Sequence, residues 1–448
     1  MGSRIGRHLH LPAFRLPALR LPRLRLPAFR RPALRLPWLR LPAFRRPALR
    51  LPWLRLPAVR RPAVRLPRLR LPAVRPPAFS GRLHDPRTAT VIGRWLGVAL
   101  AVCFLTGLIS HFLQSPPAWL ADHLPSRPVW GYRLTQGLHV AVGLAAIVLL
   151  LAKLWAVYPR LFVWPPVRSV RHALERLSVA VLVASGVFQV LTGLLNIVEW
   201  YPWPFSFVPV HYAVAWVLAG SVLLHLAVKA PDIRAHWSRR SAGTLALPDE
   251  ERDGPDRRAL LLGVGAAVGA VTVTTVGQSL TPLAAVDLLA PRHPGHGPQG
   301  LPVNRTAAAA GVTDTAVRDW SLEVLGPRPY RLTLAELGAL PRVRARLPIA
   351  CVEGWSMDAW WSGVRVRDLM ERAGALPGSG VRVVSLEVRG AYRVMEMGRE
   401  YAQDPLTLLA LRLNGEVLSA DHGFPARIIA PNRPGVLQTK WVTRLEVW

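Results

Sequence analysis

The chain has 448 residues, of which 51% are hydrophobic, and its mean hydropathy is +0.24. These values argue against a wholly soluble protein and indicate segments that meet lipid, in a chain long enough for two or three folding units. The formal net charge of +31 describes mainly the first 80 residues, which hold 20 arginines, no lysine and no acidic residue. Only two cysteines occur, Cys103 in an apolar run and Cys351 far downstream, which excludes a disulfide framework.

Residues 11–80 form fourteen five-residue units such as LPAFR and RPALR, with proline at the second position of each. A proline every five residues prevents a continuous helix and a central strand. We therefore expect residues 1–84 to be an extended, disordered arm. Such an arm either binds anionic lipid or nucleic acid through its arginines or is a dispensable tail. We favour the tail and expect no specific nucleic-acid partner.

Five apolar runs of about 20 residues follow, the length that crosses a bilayer. They are Trp95–Gln114, Leu134–Tyr158, Leu177–Val198, Val208–Val228 and Ala259–Leu280. The sequence thus predicts an all-α membrane bundle of four helices over residues 85–240, a cytoplasmic linker at 241–258, and a fifth spanning helix at 259–280.

Basic residues in the connections predict the orientation of these helices. They are concentrated in the second connection (160–176) and the fourth (229–258), whereas the third (199–208) has none and the first has only two (127–133). We therefore expect a multi-pass protein of the cell membrane whose N-terminus is cytoplasmic and whose residues 281–448 are extracytoplasmic.

The fifth run is preceded by Arg257 and Arg258. This arginine pair before an apolar stretch is typical of a twin-arginine export signal, which carries folded domains, and equally of an ordinary positive flank.

Three histidines, His139, His211 and His225, lie inside apolar runs, where an ionisable group is costly. His211 and His225 are fourteen residues apart, which places them on one helix face about 21 Å apart, a spacing that suits two haems stacked across a bilayer. The segment His139–Lys153 also aligns without a gap with His211–His225, so the four helices resemble two copies of a hairpin. His139 and His211 are then at one depth, as the two axial ligands of an outer haem b.

A second, inner haem is less regular. His225 faces Lys153 by the internal symmetry, and His172 at the cytoplasmic start of the third helix is the better partner by depth. His111 is a candidate for a quinone or proton path. The alternative is that these histidines only bond to neighbouring helices. By helix count and histidine depth, residues 90–235 resemble the cytochrome b561-like membrane subunits, which implies electron exchange with the quinone pool.

Residues 300–448 predict a mixed α+β domain. The predicted elements are a capping box at Thr333–Glu336 before a short helix, a helix at Val366–Ala373, strands at Val381–Val388, Ala426–Ala430 and Lys440–Trp448, and a hairpin turn at Asn414–Gly415.

Within this domain, Cys351 lies in the segment Cys351-Val-Glu-Gly-Trp-Ser356, close to several tryptophans. A soft thiolate in a dry aromatic pocket suits a transition metal, and the alternative is a buried core thiol. Together with Trp361-Ser-Gly-Val364, Asp421-His-Gly423, Pro425-Ala-Arg427 and Lys440-Trp441, the segment resembles the sulfite oxidase superfamily of molybdopterin enzymes, and most closely the periplasmic methionine-sulfoxide reductase catalytic subunits.

The resemblance implies a set of cofactor contacts. Cys351 ligates molybdenum and is the catalytic residue. The residues that bind the pterin and its phosphate are His422, Arg427 and Lys440, with Asn304 and Arg305 as further contacts. For each cation the alternative is a solvated surface charge. Gly423 and Gly435 permit close backbone approach to the cofactor.

These features predict a membrane-bound molybdopterin-dependent oxidoreductase. It performs oxo transfer with a small-molecule oxo donor or acceptor outside the membrane and exchanges electrons with quinone through one or two haems b. The alternative is a cytochrome b electron carrier with a non-catalytic extracytoplasmic binding module.

Overall fold

A computed structural model describes His84 and residues 86–161, 167–237, 257–293 and 295–448. The predicted disordered arm, His84 apart, and most of the predicted linker at 241–258 lie outside these residues, so both stay predictions.

The first half of the described chain is helical. Its elements are α1 (Pro86–Gln114), the short α2 (Ala118–Ala121), α3 (Gly131–Leu161), α4 (Val170–Ile197), α5 (Phe207–Trp237) and α6 (Arg257–Val276). Five of these six, all except α2, are long and apolar enough to cross a membrane, which confirms the prediction of five apolar helices. Large apolar side chains are exposed along them, as expected for helices that are hydrophobic on all faces and meet lipid.

Two helical hairpins make up the bundle. Helix α1 packs along α3, α4 packs along α5, and α6 packs against the outside of α3. The interhelical cores are built from small side chains, such as Ala89 and Ala156 between α1 and α3, which allow close approach of the helix backbones. The arrangement agrees with the two hairpin copies that the sequence alignment predicts.

The second half is a mixed α/β domain, which confirms that part of the predicted fold. Its strands are β1 (Ser321–Leu325), β2 (Tyr330–Thr333), β3 (Val343–Ala350), β4 (Ser356–Arg365), β5 (Val381–Ser385), β6 (Val394–Met397), β7 (Leu408–Leu413), β8 (Glu416–Val417), β9 (Arg427–Ile429) and β10 (Val442–Val447). Its short helices are α7 (Ala307–Ala310), α8 (Asp314–Arg318), α9 (Leu334–Ala339), α10 (Val366–Arg372) and α11 (Arg399–Ala402).

The strands form two five-stranded sheets. One has the order β2-β1-β10-β5-β6, in which β1 and β10 are parallel, and the other has the order β3-β4-β7-β8 with β9 also paired to β7. A large apolar cluster joins α10 to both sheets, and a second one fills the inner side of the β3-β4-β7 sheet.

Local sequence signals account for several of these elements. Thr333 accepts a hydrogen bond from the Glu336 backbone N–H while the Glu336 carboxylate accepts from the Thr333 N–H, which is the predicted capping box. Asn414 has a φ of 51° and joins β7 to β8, as the hairpin prediction requires. Strand β5 is shorter than predicted because the Ser385 hydroxyl accepts from the Glu387 N–H and turns the chain.

The α/β domain is fixed to one end of the bundle, where α1 and α4 end and α3 begins; we call this the domain-proximal end. Arg127, before α3, forms a two-pronged ion pair with the buried Asp404, with both N–O distances at 3.0 Å. The Tyr132 backbone N–H donates to the Asn432 side-chain oxygen at 2.6 Å. Arg133 binds both the Ser279 carbonyl and Asp358. These contacts hold the domain against the start of α3.

Candidate functional site

Cys351 lies at the tip of the β3–β4 hairpin. The two strands pair up to Ala350 and Ser356, so the loop between them consists of residues 351–355, which we call the cysteine loop. The Cys351 N–H donates to the Trp355 carbonyl at 2.9 Å, and the Gly354 N–H donates to the Cys351 carbonyl at 3.1 Å. The loop closes because Gly354 adopts a φ of 94°, which is unfavourable for any residue with a side chain.

One amide organises the polar groups of this loop. The Asn304 side-chain nitrogen donates to the Cys351 sulfur at 3.0 Å and to the Glu353 carboxylate at 2.6 Å. Its side-chain oxygen accepts from the Trp355 indole N–H at 3.2 Å. The structure therefore brings Asn304 and Cys351 together, although 47 residues separate them in the sequence.

The cysteine loop carries two groups that can lose a proton, the Cys351 thiol and the Glu353 carboxyl, and both are buried. Burial, followed by the charge of Glu353, raises the pKa of the Cys351 thiol well above its ordinary value. Burial likewise raises the pKa of Glu353. A buried thiol ionises readily only when a nearby cation stabilises the thiolate in place of the missing solvent. A metal ion supplies that positive charge.

Cationic and imidazole groups converge beside the loop. The Lys440 ammonium donates to the carbonyl oxygens of Arg305 and Asp421, each at 2.8 Å. Burial and the nearby Arg427 lower the pKa of Lys440 to about 7. The His422 Nε2 lies 2.7 Å from the Pro298 carbonyl oxygen, and burial lowers the pKa of this ring to about 4, so it is neutral near pH 7 and donates there.

Arg305 and Arg427 differ in how they are held. Arg305 lies at the surface with its Nε 3.1 Å from a Glu387 oxygen, an ion pair without hydrogen-bond geometry. Arg427 is fully buried over the Trp361 ring, and its two terminal nitrogens donate to the carbonyl oxygens of His422 and Gln438. Burial lowers the pKa of Arg427 to about 10, which leaves it cationic.

The group of residues predicted to hold a molybdopterin fits such a cofactor. Several buried polar atoms in this region, among the described residues, have no hydrogen-bond partner: Arg427 Nε, Glu387 Oε1, Gln438 Oε1 and Thr439 Oγ1. Gly423 has a φ of 107°, and a Cβ there would lie 3.0 Å from the Lys440 side chain, so only glycine fits at this turn. A buried thiol, unused donors and acceptors, and a cluster of positive charge are what an anionic, metal-bearing pterin requires.

The cysteine loop rests directly on α3. The Gln136 side chain donates to the Val352 carbonyl at 2.6 Å, and the Ser279 hydroxyl donates to the Gly354 carbonyl. Gly354 touches Val140 so closely that a Cβ at this position would lie 2.5 Å from a Val140 methyl. The loop that carries Cys351 therefore contacts Val140, the residue that follows His139 in the sequence.

His139 and His211 face each other across the bundle at the domain-proximal end. Their ring centroids are 6.2 Å apart. His139 Nδ1 lies 2.9 Å from the Cys103 carbonyl oxygen, and His211 Nδ1 lies 2.9 Å from the Thr192 hydroxyl. In each ring, Nδ1 thus makes its hydrogen-bond contact within the same helical hairpin.

The other predicted histidines are arranged differently. His225 lies within electrostatic range of Lys153 and Lys229, which agrees with the internal symmetry. The Nδ1 of His172 accepts from the Arg168 N–H at the start of α4. His111 stacks face to face on Tyr212 with a centroid distance of 3.7 Å. Whether His225 and His172 share a haem stays a prediction.

The sequence did not single out Glu353, Gln136 or Tyr132. Glu353 stands within the quoted cysteine segment, so its position was a usable signal. Gln136 and Tyr132 lie on the apolar helix α3, more than 200 residues from their partners, and no local pattern marks them.

A family model described as an oxidoreductase molybdopterin-binding domain matches residues 309–448. The α/β domain is thus a molybdopterin-binding oxidoreductase domain of the sulfite oxidase type, which confirms the resemblance read from the motifs. Asn304 and Arg305 lie just before the matched segment.

Three relatives are similar to part of this chain. The oxidoreductase YuiH of Bacillus subtilis (strain 168) is 33% identical over 130 residues, which cover 28% of this chain and 64% of YuiH. The mitochondrial sulfite oxidase of Drosophila melanogaster is 31% identical over 155 residues, 29% of this chain and 27% of that protein. The methionine-sulfoxide reductase catalytic subunit MsrP of Gluconobacter oxydans (strain 621H) is 28% identical over 237 residues, 45% of this chain and 73% of that protein.

The chain spans less than two thirds of the length of YuiH and of the sulfite oxidase. Among solved structures, the sulfane dehydrogenase SoxCD from Paracoccus pantotrophus matches 29% of this chain and 38% of its own at 24% identity, with a TM-score of 0.27.

Proposed function

We propose that the chain is a membrane-bound molybdopterin-dependent oxidoreductase that performs oxo transfer outside the membrane and exchanges electrons with quinone through haem b. One observation carries the proposal. The cysteine loop, which bears the predicted molybdenum ligand Cys351, rests on α3 at Val140, next to the predicted haem ligand His139.

In this proposal the residues predicted to bind the cofactor all come from the α/β domain and the segment just before it. Cys351 would bind the metal through its thiolate, and Asn304 donates hydrogen bonds to both that sulfur and the Glu353 carboxyl. Lys440 and Arg305 place positive charge where the phosphate of the pterin binds, and the neutral His422 offers its remaining nitrogen as an acceptor. Molybdenum held there supplies the transfer of an oxygen atom coupled to two electrons.

Burial of the site has a chemical consequence. Cys351, Glu353 and Trp355 are each less than a tenth exposed, so bulk water is kept from the sulfur and its surroundings. Exclusion of water strengthens each electrostatic contact with the cofactor and protects a reduced metal centre from side reactions.

The geometry at His139 and His211 supports a haem between them. The two ring centroids are 6.2 Å apart, a separation at which both imidazoles would hold one metal ion between them at about 2 Å from each nitrogen. Histidine ligands of metals generally use their second nitrogen to hydrogen-bond a protein group, and both rings do this through Nδ1. We assign the outer haem b to this pair.

The membrane location and its orientation belong to the same proposal. The domain-proximal end carries the exposed aromatic side chains Trp119, Trp130, Trp200 and Trp203, which suit a membrane–water interface. With the basic connections on the cytoplasmic side, the α/β domain is extracytoplasmic, and electrons pass between it and quinone through the bundle. The substrate class we propose is a small sulfur compound that gains or loses one oxygen, as the names of MsrP and sulfite oxidase indicate for those proteins.

Metal analysis and optical spectra of the purified full chain test this function. We expect molybdenum in the wild type and in the matched cysteine control Cys103→Ser, and none in Cys351→Ser. We expect a haem b band in the reduced-minus-oxidised spectrum that His211→Leu loses and that the control His123→Ala, on the α2–α3 connection, keeps. A folded wild type that contains haem but no molybdenum reduces the chain to an electron carrier, and the absence of both groups rejects the function.

A further inference from the structure

Tyr132 belongs to a membrane helix, yet its side chain is buried in the apolar cluster of the α/β domain. It stands at the start of α3, is 1% exposed, and packs in the main apolar cluster of the domain beside Leu113 and Leu124. Its backbone is fixed by the hydrogen bond to Asn432, which in turn donates to the Pro125 carbonyl. The ring therefore has one well-determined position.

The Tyr132 hydroxyl has no hydrogen-bond partner within the part of the chain that the structure describes. Burial of a hydroxyl without a partner costs stability, and tyrosine hydroxyls inside proteins are normally paired. Phenylalanine would fill the same apolar space without this cost. The hydroxyl is therefore a donor available to a group other than the described residues of the chain.

The position of Tyr132 on α3 indicates which group this is. Gln136 stands one helical turn further on, on the same helix face, and binds the carbonyl of Val352, the residue between Cys351 and Glu353. Cys351, Glu353 and Tyr392 lie within electrostatic range of the Tyr132 hydroxyl. The unpartnered hydroxyl thus belongs to the turn of α3 that precedes the one on which the cysteine loop rests.

A second membrane segment reaches the same place. Tyr201, in the connection between α4 and α5, lies within electrostatic range of Glu353 and Cys351. The neighbouring Glu199 is ion-paired with Arg292 at 2.8 Å, which ties this connection to the segment that follows α6. The α4–α5 connection therefore lies on the same side of the bundle as the loop that carries the thiol.

We propose that the membrane bundle completes the molybdenum site, and that the Tyr132 hydroxyl donates a hydrogen bond to a polar atom of the cofactor bound at Cys351. The inference rests on the proposed function, since it requires the cofactor. It means that the site is shared between a membrane helix and the α/β domain, so that cofactor binding and domain docking stabilise each other.

The test compares Tyr132→Phe with wild type in the full chain, each prepared from cells that make the molybdenum cofactor and from cells that cannot. The measurement is the midpoint of thermal unfolding, with molybdenum content determined on the same samples. Tyr330→Phe is the matched control, because the Tyr330 hydroxyl donates to the Leu369 carbonyl at 2.7 Å, away from the cysteine loop.

Without cofactor, we expect Tyr132→Phe to unfold at the same temperature as wild type or roughly 2–4 °C higher, because only an unpartnered hydroxyl is lost. The loading shift is the rise in the unfolding midpoint that bound cofactor causes. We expect this shift to be smaller in Tyr132→Phe than in wild type, by a similar number of degrees. Tyr330→Phe should lower the midpoint equally in both states, because its hydrogen bond does not depend on the cofactor.

Equal loading shifts in Tyr132→Phe and wild type, with molybdenum present in both, overturn the inference and leave the proposed function intact. A cofactor-free Tyr132→Phe that unfolds lower than wild type or fails to fold also overturns it, because the hydroxyl then has a structural role. Absence of molybdenum from the wild type rejects the function and the inference together.

Discussion

The contact between Gly354 and Val140 allows a quantitative test of how the cysteine loop is docked on α3. Gly354→Ala introduces a methyl group 2.5 Å from a Val140 methyl, on a backbone whose φ is 94°. The backbone strain costs about 1–3 kcal/mol, and the overpacking costs about 1–3 kcal/mol more. The substitution should therefore lower the free energy of unfolding by about 2–6 kcal/mol.

Val140→Ala is the matching variant, because it removes the side-chain atoms against which the new methyl group is overpacked. Val140 is 8% exposed, so truncation removes two buried methyl groups at a cost of about 2 kcal/mol. In the double variant the two Val140 methyl groups are gone and the closest contact is with the Cβ of residue 140 at 2.9 Å, so most of the overpacking is relieved while the backbone strain remains. The two costs should therefore fall short of additivity by about 1–3 kcal/mol.

Unfolding of the four proteins in detergent, followed by circular dichroism, measures these differences. Strictly additive costs, or a Gly354→Ala protein as stable as wild type, would refute the direct contact between the cysteine loop and α3.

Two further predictions concern buried charge. The pKa of Lys440 is lowered to about 7 from 10.5, so between these values the unfolded chain binds more protons and stability rises with pH. The cofactor-free protein should gain about 3–4 kcal/mol from pH 7 to pH 10, and a Lys440→Met protein that shows the same gain would contradict this. Arg127→Ala leaves the buried Asp404 without its ion-pair partner and should lower the free energy of unfolding by about 1–3 kcal/mol in denaturant. The control Arg346→Ala removes an exposed partner of Asp358 and should lower it by less than about 1 kcal/mol. Equal losses would show that Arg127 is not needed to dock the domain.

The parts of the fold that sequence predicts are those set by local rules. Apolar length marks the five helices, the Thr333–Glu336 pattern marks a helix start, and Asn414-Gly415 marks a turn. Helix ends are less well predicted. Helix α1 begins at Pro86, nine residues before the apolar run, because proline is compatible with a first helical turn and the polar residues after it continue the helix.

The candidate site divides in the same way. Cys351 and its neighbours stand in one segment with a distinctive composition, so the motif finds them. Their contacts with α3 span 216 residues between Gln136 and Val352, and no periodicity or turn signal encodes such a pairing. The depth of His139 and His211 follows from helix geometry, whereas the place of His172 depends on a local bond to Arg168 that the sequence does not show.

The central claim is that a metal at Cys351 and a haem at His139 and His211 belong to one electron path. Reductive titration of the oxidised full chain with a quinol analogue, with electron uptake counted against haem content, tests it most directly. We predict that the wild type takes up more electrons than its haem accounts for and that Cys351→Ser takes up only the haem electrons. Equal uptake by both proteins, with molybdenum present in the wild type, would contradict the account.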